Sequence, residues 1–535
     1  MNNNLLKLAL LLAVSIPVVA AEKFYADDPL QNEPRPRNAA TVKPRKLNDY
    51  YDLLENSFKK RGERNTAKKT IRARDVNTLG EPMDGAWYTH RHYWNPMSDE
   101  QLQLGVGGKN PPSEAGPWTV VSAKLEGISP GFVMKDSKGD RYYVKFDPMS
   151  NPEMATGAEM IVARFLYALG YHVPDYYLIH FKADKLALGT DVKFRDSNGR
   201  ERPMVQPDLD KLLTKIPQTA DGGYRAIVSI QIEGKPVGPF KYFGTRGDDP
   251  NDVVPHEHRR ELRALGVFAA WLDHNDSRSI NTLDTLVQEG DVAYVRHHLM
   301  DFGSTLGSAT VEAKTARFGG EYYLDFKSAP KQMVTLGLAV PYWAHARYPD
   351  YPAVGGFESA TFRPDRWIPD YPNPSFVNRL PDDEFWAAKQ VVAFTNDQIR
   401  AIVKVAQFSD PNAERYIADT LIARRDKIGR VYLTKVLPLD RFAVANGELV
   451  FHDLAKEYAS EEKGPLHVTW SSFDNKTSQK APIAAAQDFH IPGDDPGTSY
   501  LAAEIWRGDN KAKMITVYLR QTGAGTEVVG VDRAW

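Results

Sequence analysis

The chain has 535 residues, 42% hydrophobic and 25% charged, with 67 lysines and arginines set against 69 aspartates and glutamates. This is the balance of an ordinary globular protein with room for roughly three domains, and a net charge of −2 excludes bulk electrostatic capture by nucleic acid or anionic membrane. The absence of cysteine excludes disulfides and acylation on a leading cysteine, so a large core has to hold the fold.

The first residues, MNNNLLKLALLLAVSIPVVAAEKF, place Lys7 before an apolar run from Leu8 to Ala20, with small residues at Val19 and Ala21. The pattern predicts a cleavable signal peptide over 1–21 and a mature start near Glu22. The run is shorter than the ~20 residues a membrane span needs. The expected product is periplasmic or secreted, with no stable membrane span after cleavage. Residues 22–115 are rich in Pro, Asn, Arg and Lys and weakly periodic, which predicts an extended arm packed on the main body. The tryptophans of GAWYTHRHYWNP are its expected anchors.

From Trp118 the pattern changes to short β-type runs, WTVVSAKL, GFVMKD and RYYVKF, separated by EGISP and SKGD. A helix follows in NPEMATGAEMIVARFLYALGYHVP: Ile161, Phe165 and Leu169 form one stripe beside Val162 and Leu166, and Gly170 with Pro174 ends it. DYYLIHF and YRAIVSIQI read as strands. HEHRRELRALGVFAAWLD reads as a second strong helix, with Leu262, Leu265, Phe268, Trp271 and Leu272 inward. AYVRHHLM is a strand running into DFG. A proline- and aromatic-rich stretch, 340–380, precedes the helices TNDQIRAIVKVAQF, capped by Thr395 or Asn396, and PNAERYIADTLIARRDKIG. The last residues, from Gly464, alternate β-type runs with turns and predict a small all-β domain.

The chemistry concentrates in DHNDSRSINT, 273–282, and MDFGS, 300–304. Phosphoryl transfer needs a carboxylate to orient the attacking hydroxyl, and Asp276 suits that role. It needs a cation near the moving group, which Arg278 supplies. Oxygen ligands must hold the magnesium that bridges the phosphates, and Asn281 and Asp301 provide them. Upstream, Lys145 at the end of YYVKF can reach the α- and β-phosphates, and Glu159 on the following helix can pair with it, with Glu153 as the competing partner.

The span from about 118 to 310, with its strand–loop–strand, β-strand lysine, helix glutamate, H-x-D-x-x-x-x-N and DFG, resembles the protein-kinase-like superfamily. The E…LYALGYHVP stretch is more similar to atypical HipA-like and secretory-pathway kinases. The resemblance implies an α+β, bilobal kinase-like fold: a β-rich N-lobe over 116–245 and a helical C-lobe over 246–460. The extended arm would precede it and the all-β domain, 464–535, would follow. It implies ATP with Mg2+ (or Mn2+) as cofactors and a protein or small-molecule hydroxyl as acceptor. The pattern departs from the family in three places. There is no G-x-G-x-x-G and no A-P-E segment, and Asn275 stands where many protein kinases carry an arginine.

By letters, Gly127-Ile128-Ser129-Pro130-Gly131 is also the G-x-S-x-G elbow of serine hydrolases. That chemistry needs the backbone N–H of the residue after the nucleophile, and Pro130 has none. The expected role of the loop is to cover phosphates, with Gly127, Ser129 and Gly131 near the nucleotide. Two alternatives remain beside phosphoryl transfer: a non-catalytic envelope binding protein on a kinase fold, and nucleotidyl transfer on the same fold. The histidines of THRH (89–92) and HEHRRE (256–261) lack a third metal ligand and are expected to be solvated. SEEK, 460–463, lacks the partners that S-x-x-K chemistry requires.

Overall fold

The computed structural model describes residues 22–123, 131–195, 200–325, 334, 340–458, 464–483, 488–493 and 499–535. The signal-peptide segment, Gly127, Ser129 and the SEEK tetrapeptide lie outside the described residues. The fold mixes sheet-rich and helical parts.

Within the predicted arm two short helices form, α1 (Asp49–Phe58) and α2 (Asp99–Leu104). Asn48 caps α1 by accepting from Tyr51 N–H, and Ser98 with Gln101 forms a reciprocal capping box on α2. The short strands that follow are β1 (Trp118–Ala123), β2 (Gly131–Lys135) and β3 (Arg141–Lys145), paired antiparallel in sequence order. After α3 (Met154–Ala168) come β4 (Tyr176–Phe181), β5 (Leu186–Leu188), β6 (Lys193–Arg195), β7 (Glu201–Pro203), α4 (Gln206–Leu213) and β8 (Tyr224–Ile230). Six of these strands make one sheet in the order β4-β8-β3-β2-β1-β5, with only β1 and β5 parallel.

The two faces of this sheet serve different cores. Tyr142 and Val144 of β3, with Ala226 and Val228 of β8, pack with Leu209 and Leu213 of α4. Ile227, the register partner of Lys145, belongs instead to the core built on α3. The period of two along β3 therefore sends the Lys145 side chain to the α3 face. The predicted stripe of α3 is fully buried, and the helix ends in a Schellman turn: Gly170 adopts φ +106 and Tyr171 N–H donates to Leu166 O at 3.0 Å.

The second unit of interest is the three-stranded sheet β11-β10-β9, built from β9 (Lys235–Gly238), β10 (Thr282–Glu289) and β11 (Val292–Leu299). Helix α5 (Arg260–Leu272) leads into it and buries every predicted inward residue. Helices Pro381–Val392, Asn396–Val403 and Pro411–Tyr432 complete this core, Thr395 capping the second through Gln398 N–H. Near the C-terminus, β12 (Leu439–Ala445) and β13 (Glu448–Asp453) pair with each other. They share a core with an antiparallel sheet of β14 (Leu466–Phe473), β15 (Lys480–Pro482), β16 (Ser499–Arg507), β17 (Asn510–Thr522) and β18 (Gly525–Arg533). Phe24 is seated on this last sheet among Phe473, Tyr500 and Tyr518.

The histidine pairs depart from the expected solvation. His92, His256 and His258 are buried and His90 is half-buried. His258 and His92 find partners on remote segments, Glu63 at 3.2 Å and the ring of Phe394, while His256 meets Asp252 of its own segment at 2.8 Å. Among the described residues no group of three or more metal-ligating side chains forms, and no helix is long and apolar enough to cross a membrane.

Candidate functional site

The β10–β11 hairpin explains why the two acidic motifs meet. Thr282, the first residue of β10, pairs with Leu299, the last of β11. Asn281 and Asp301 therefore flank the open end of one hairpin, and Met300 N–H donates to Asn281 O at 3.1 Å. Asp301 leaves the strand with φ 65, in the left-handed region that aspartate tolerates better than most residues.

The segment before β10 is held from several sides. Helix α5 stops at Asp273, whose backbone is left-handed at φ 53. Its carboxylate accepts from Lys314 Nζ at 3.2 Å and from Trp367 Nε1 at 3.2 Å. Asn275 is bound to Asp370 twice, through its side-chain amide and through Asp370 N–H to Asn275 O at 2.9 Å. Ser277 Oγ donates to His274 O at 2.7 Å, and Asn281 Nδ2 donates to Asp276 O at 2.9 Å. The loop thus has its own internal hydrogen bonds and two external clamps from the Pro/aromatic part of the chain.

Two clusters result. In the first, Lys145 Nζ donates to Glu159 Oε1 at 2.6 Å and to Asp301 Oδ1 at 2.8 Å. Glu153 does not compete: it sits at the start of α3 and accepts from Ser409 N–H at 2.9 Å. In the second, Arg278 Nε donates to Asp276 Oδ1, and Arg278 Nη1 donates to Asp49 Oδ2 of α1 at 2.9 Å. Tyr176, the first residue of β4, ties in the first cluster: its hydroxyl accepts from Asp301 N–H at 3.4 Å and bonds Glu159.

The electrostatics follow from burial and from these pairings. Burial works against the Lys145 ammonium, but Asp301 and Glu159 outweigh it and hold its pKa above that of a free lysine. Burial lifts Glu159 above the ordinary carboxyl range, against the pull of Lys145. Burial also lifts Asp276, and the nearby Asp301 charge adds to the effect while Arg278 opposes it. A carboxylate raised in this way is a better proton acceptor than a free one. His274 is pushed down to about 3 by burial and by Lys314, so its imidazole is neutral at ordinary pH. Asp370 is pushed up to about 6 by burial and by the charge of Asp276.

Lys145, Glu159 and Asp301 lie in the first cluster and Asp276 and Arg278 in the second, Asn281 joins the second through Asp276 O, and the hairpin sets the two side by side. Of the glycine-loop residues only Gly131 is described; it opens β2 and its register partner is Lys145. Asp49, Tyr176, Lys314 and Asp370 belong to the site but carry no sequence signal. Asp49 lies in weakly periodic sequence, and Asp370 sits in IPDYPNP, which reads as a turn.

No family model and no curated protein matches the chain. Among solved structures, it is similar to the Helicobacter pylori proinflammatory kinase CtkA at 10% identity and a TM-score of 0.29, over 59% of this chain and 98% of that one. The Golgi casein kinase aligns at 10% identity and a TM-score of 0.29, over 63% and 78%. The same enzyme with Mn/ADP bound aligns at 10% and 0.28, over 62% and 77%. Likeness of this size assigns neither fold nor activity.

Proposed function

We propose that the protein is a kinase-like phosphotransferase that moves the γ-phosphoryl group of ATP to a hydroxyl. The observation that carries this reading is Lys145 held between Glu159 and Asp301. A strand lysine braced by a helix carboxylate and facing a second carboxylate is what phosphate positioning beside a metal requires. In the reaction the acceptor O–H gives its proton to Asp276, its oxygen bonds the γ-phosphorus, and the bond from that phosphorus to the β–γ bridging oxygen breaks, leaving ADP. Arg278 offers positive charge where the transferred group passes.

The residues suit Mg2+, which binds through one or two oxygen side chains plus phosphates rather than through an all-protein cage. Asn281 commits its Nδ2 to Asp276 O, leaving Oδ1 as its acceptor end, and Asp301 supplies a carboxylate. The metal, once bound, neutralises phosphate charge. Gly127, Ser129 and Gly131 would cover the nucleotide. The leader over 1–21 supports an exported, periplasmic or secreted product acting on an envelope protein or small molecule.

The test incubates the purified protein with γ- or α-labelled ATP, Mg2+ and envelope extract. The expected result is transfer of the γ label alone, lost in Asp276→Ala and Asp301→Ala. Label retained in both variants would overturn the reading, and transfer of the α label would replace it with nucleotidyl transfer.

A further inference from the structure

Helix α1 lies directly on the catalytic loop, although it belongs to the segment whose sequence predicts only an arm. Three acidic side chains point from it into the body and no basic residue accompanies them in the helix. Asp49 meets Arg278. Asp52 is buried and accepts from Tyr371 O–H at 2.8 Å and from Ser279. Glu55 meets Arg61 and Lys241. The helix therefore grips the loop on both sides of Asp276, through Arg278 and Ser279 directly and through Tyr371, the neighbour of Asp370, which holds Asn275.

The guanidinium of Arg278 is a rigid planar fork whose donors point in fixed directions. Its Nε is committed to Asp276 and its Nη1 to Asp49, so two carboxylates on different elements fix the plane. Its Nη2 has no hydrogen-bond partner among the described residues, and the side chain is 22% exposed. With Asp276 alone, the long side chain could rotate about that single contact. The second carboxylate removes that freedom and leaves Nη2 as the uncommitted donor of the guanidinium.

We infer that Asp49 is a positioning residue for phosphoryl transfer: from helix α1 it orients Arg278 so that the open edge of the guanidinium meets the transferred group. The inference rests on the phosphotransferase reading above. It makes α1 part of the transfer site and gives the N-terminal segment a role in turnover. Asp49 contributes no proton and no bond; it limits where Arg278 can be, and a small misplacement of such a group lowers turnover steeply.

A double-mutant cycle in the full-length chain tests it, with Mg-ATP as the probe and turnover read as ADP release. Wild type, Asp49→Asn, Arg278→Ala and the double variant are compared, with Asp276→Asn as the baseline. Asp49→Asn is expected to lower kcat roughly tenfold with the KM for ATP within about twofold of wild type. In the Arg278→Ala background the same change should cost less than about twofold. Asp49→Glu should recover much of the loss. Asp52→Asn loosens the same helix without touching Arg278, and its loss should be equal in both backgrounds. An equal loss from Asp49→Asn in both backgrounds would overturn the inference, as would a gain in turnover. Wild-type turnover no faster than Asp276→Asn would instead overturn the phosphotransferase reading itself.

Discussion

Lys145 and Asp301 are 156 residues apart in the chain, yet the lysine ammonium donates to the Asp301 carboxylate at 2.8 Å. One comes from the end of β3 in the six-stranded sheet, the other from the residues after β11. Their contact, with Glu159 of α3 as the third member, joins the sheet to the segment after β11, which Met300 N–H ties to Asn281 at the end of the loop that carries Asp276.

That contact has an energetic consequence. Glu159 is only 2% exposed, so removing its cation leaves a buried carboxylate without a counter-charge. Lys145→Met is expected to destabilise the fold by about 3–5 kcal/mol, and Glu159→Gln in the same background to recover most of the loss. Chemical denaturation of the single and double variants measures both.

Nucleotide and metal should raise stability by linkage. At a concentration a hundred times Kd, a ligand bound only by the folded state adds about 2.7 kcal/mol. Mg-ATP is expected to raise the melting temperature of the wild type, and Asp301→Ala to abolish the rise. An unchanged shift in that variant, read by differential scanning fluorimetry, would remove Asp301 from metal and nucleotide binding.

Asp370 gives a signed pH dependence. Its folded carboxyl is pushed up to about 6, by burial first and then by the charge of Asp276. An unfolded aspartate releases its proton near pH 4. Between those two values the unfolded chain has lost the proton and the folded chain keeps it, so this group's contribution falls as pH rises and is flat above the window. The wild-type melting temperature minus that of Asp370→Asn is expected to decline from about pH 4 to about pH 6; a rise across the window would contradict the assignment.

The turn after α3 sets a steric limit. A Cβ on Gly170 would lie 2.1 Å from Tyr88 Cε2 and 2.7 Å from Thr89 O, at a backbone φ of +106. Gly170→Ala is expected to cost at least the ~1–3 kcal/mol typical of overpacking, the left-handed backbone adding a cost of the same order. Gly139→Ala is the control, since φ there is +88 but nothing lies within 4 Å. Its thermal shift should be the smaller of the two.

Much of the local structure was legible because it is periodic. The stripes of α3 and α5, and the runs that became β1 to β3, follow patterns of 3.6 and two residues that burial enforces. The relation of Asn281 to Asp301 was legible as a spacing, because an antiparallel hairpin turns sequence distance into proximity. Asp49 and Asp370 were not legible. Their contacts, to Arg278 and Asn275, span 229 and 95 residues and leave no periodic trace in either segment. His92 and His258 were not legible for the same reason. His258 looks like a surface residue in HEHRRE until Glu63, 195 positions away, is folded against it.

The seat of Phe24 imposes an order of events. Its pocket is built by Phe473, Tyr500 and Tyr518, and Val531 N–H donates to Thr78 O at 2.9 Å nearby. A ribosome makes all three of these pocket residues long after it has made Phe24. The N-terminal segment therefore emerges early and finds its final berth late. A stalled chain lacking β16 to β18 leaves that segment unmoored, and synthesis of these strands becomes the event that secures Phe24.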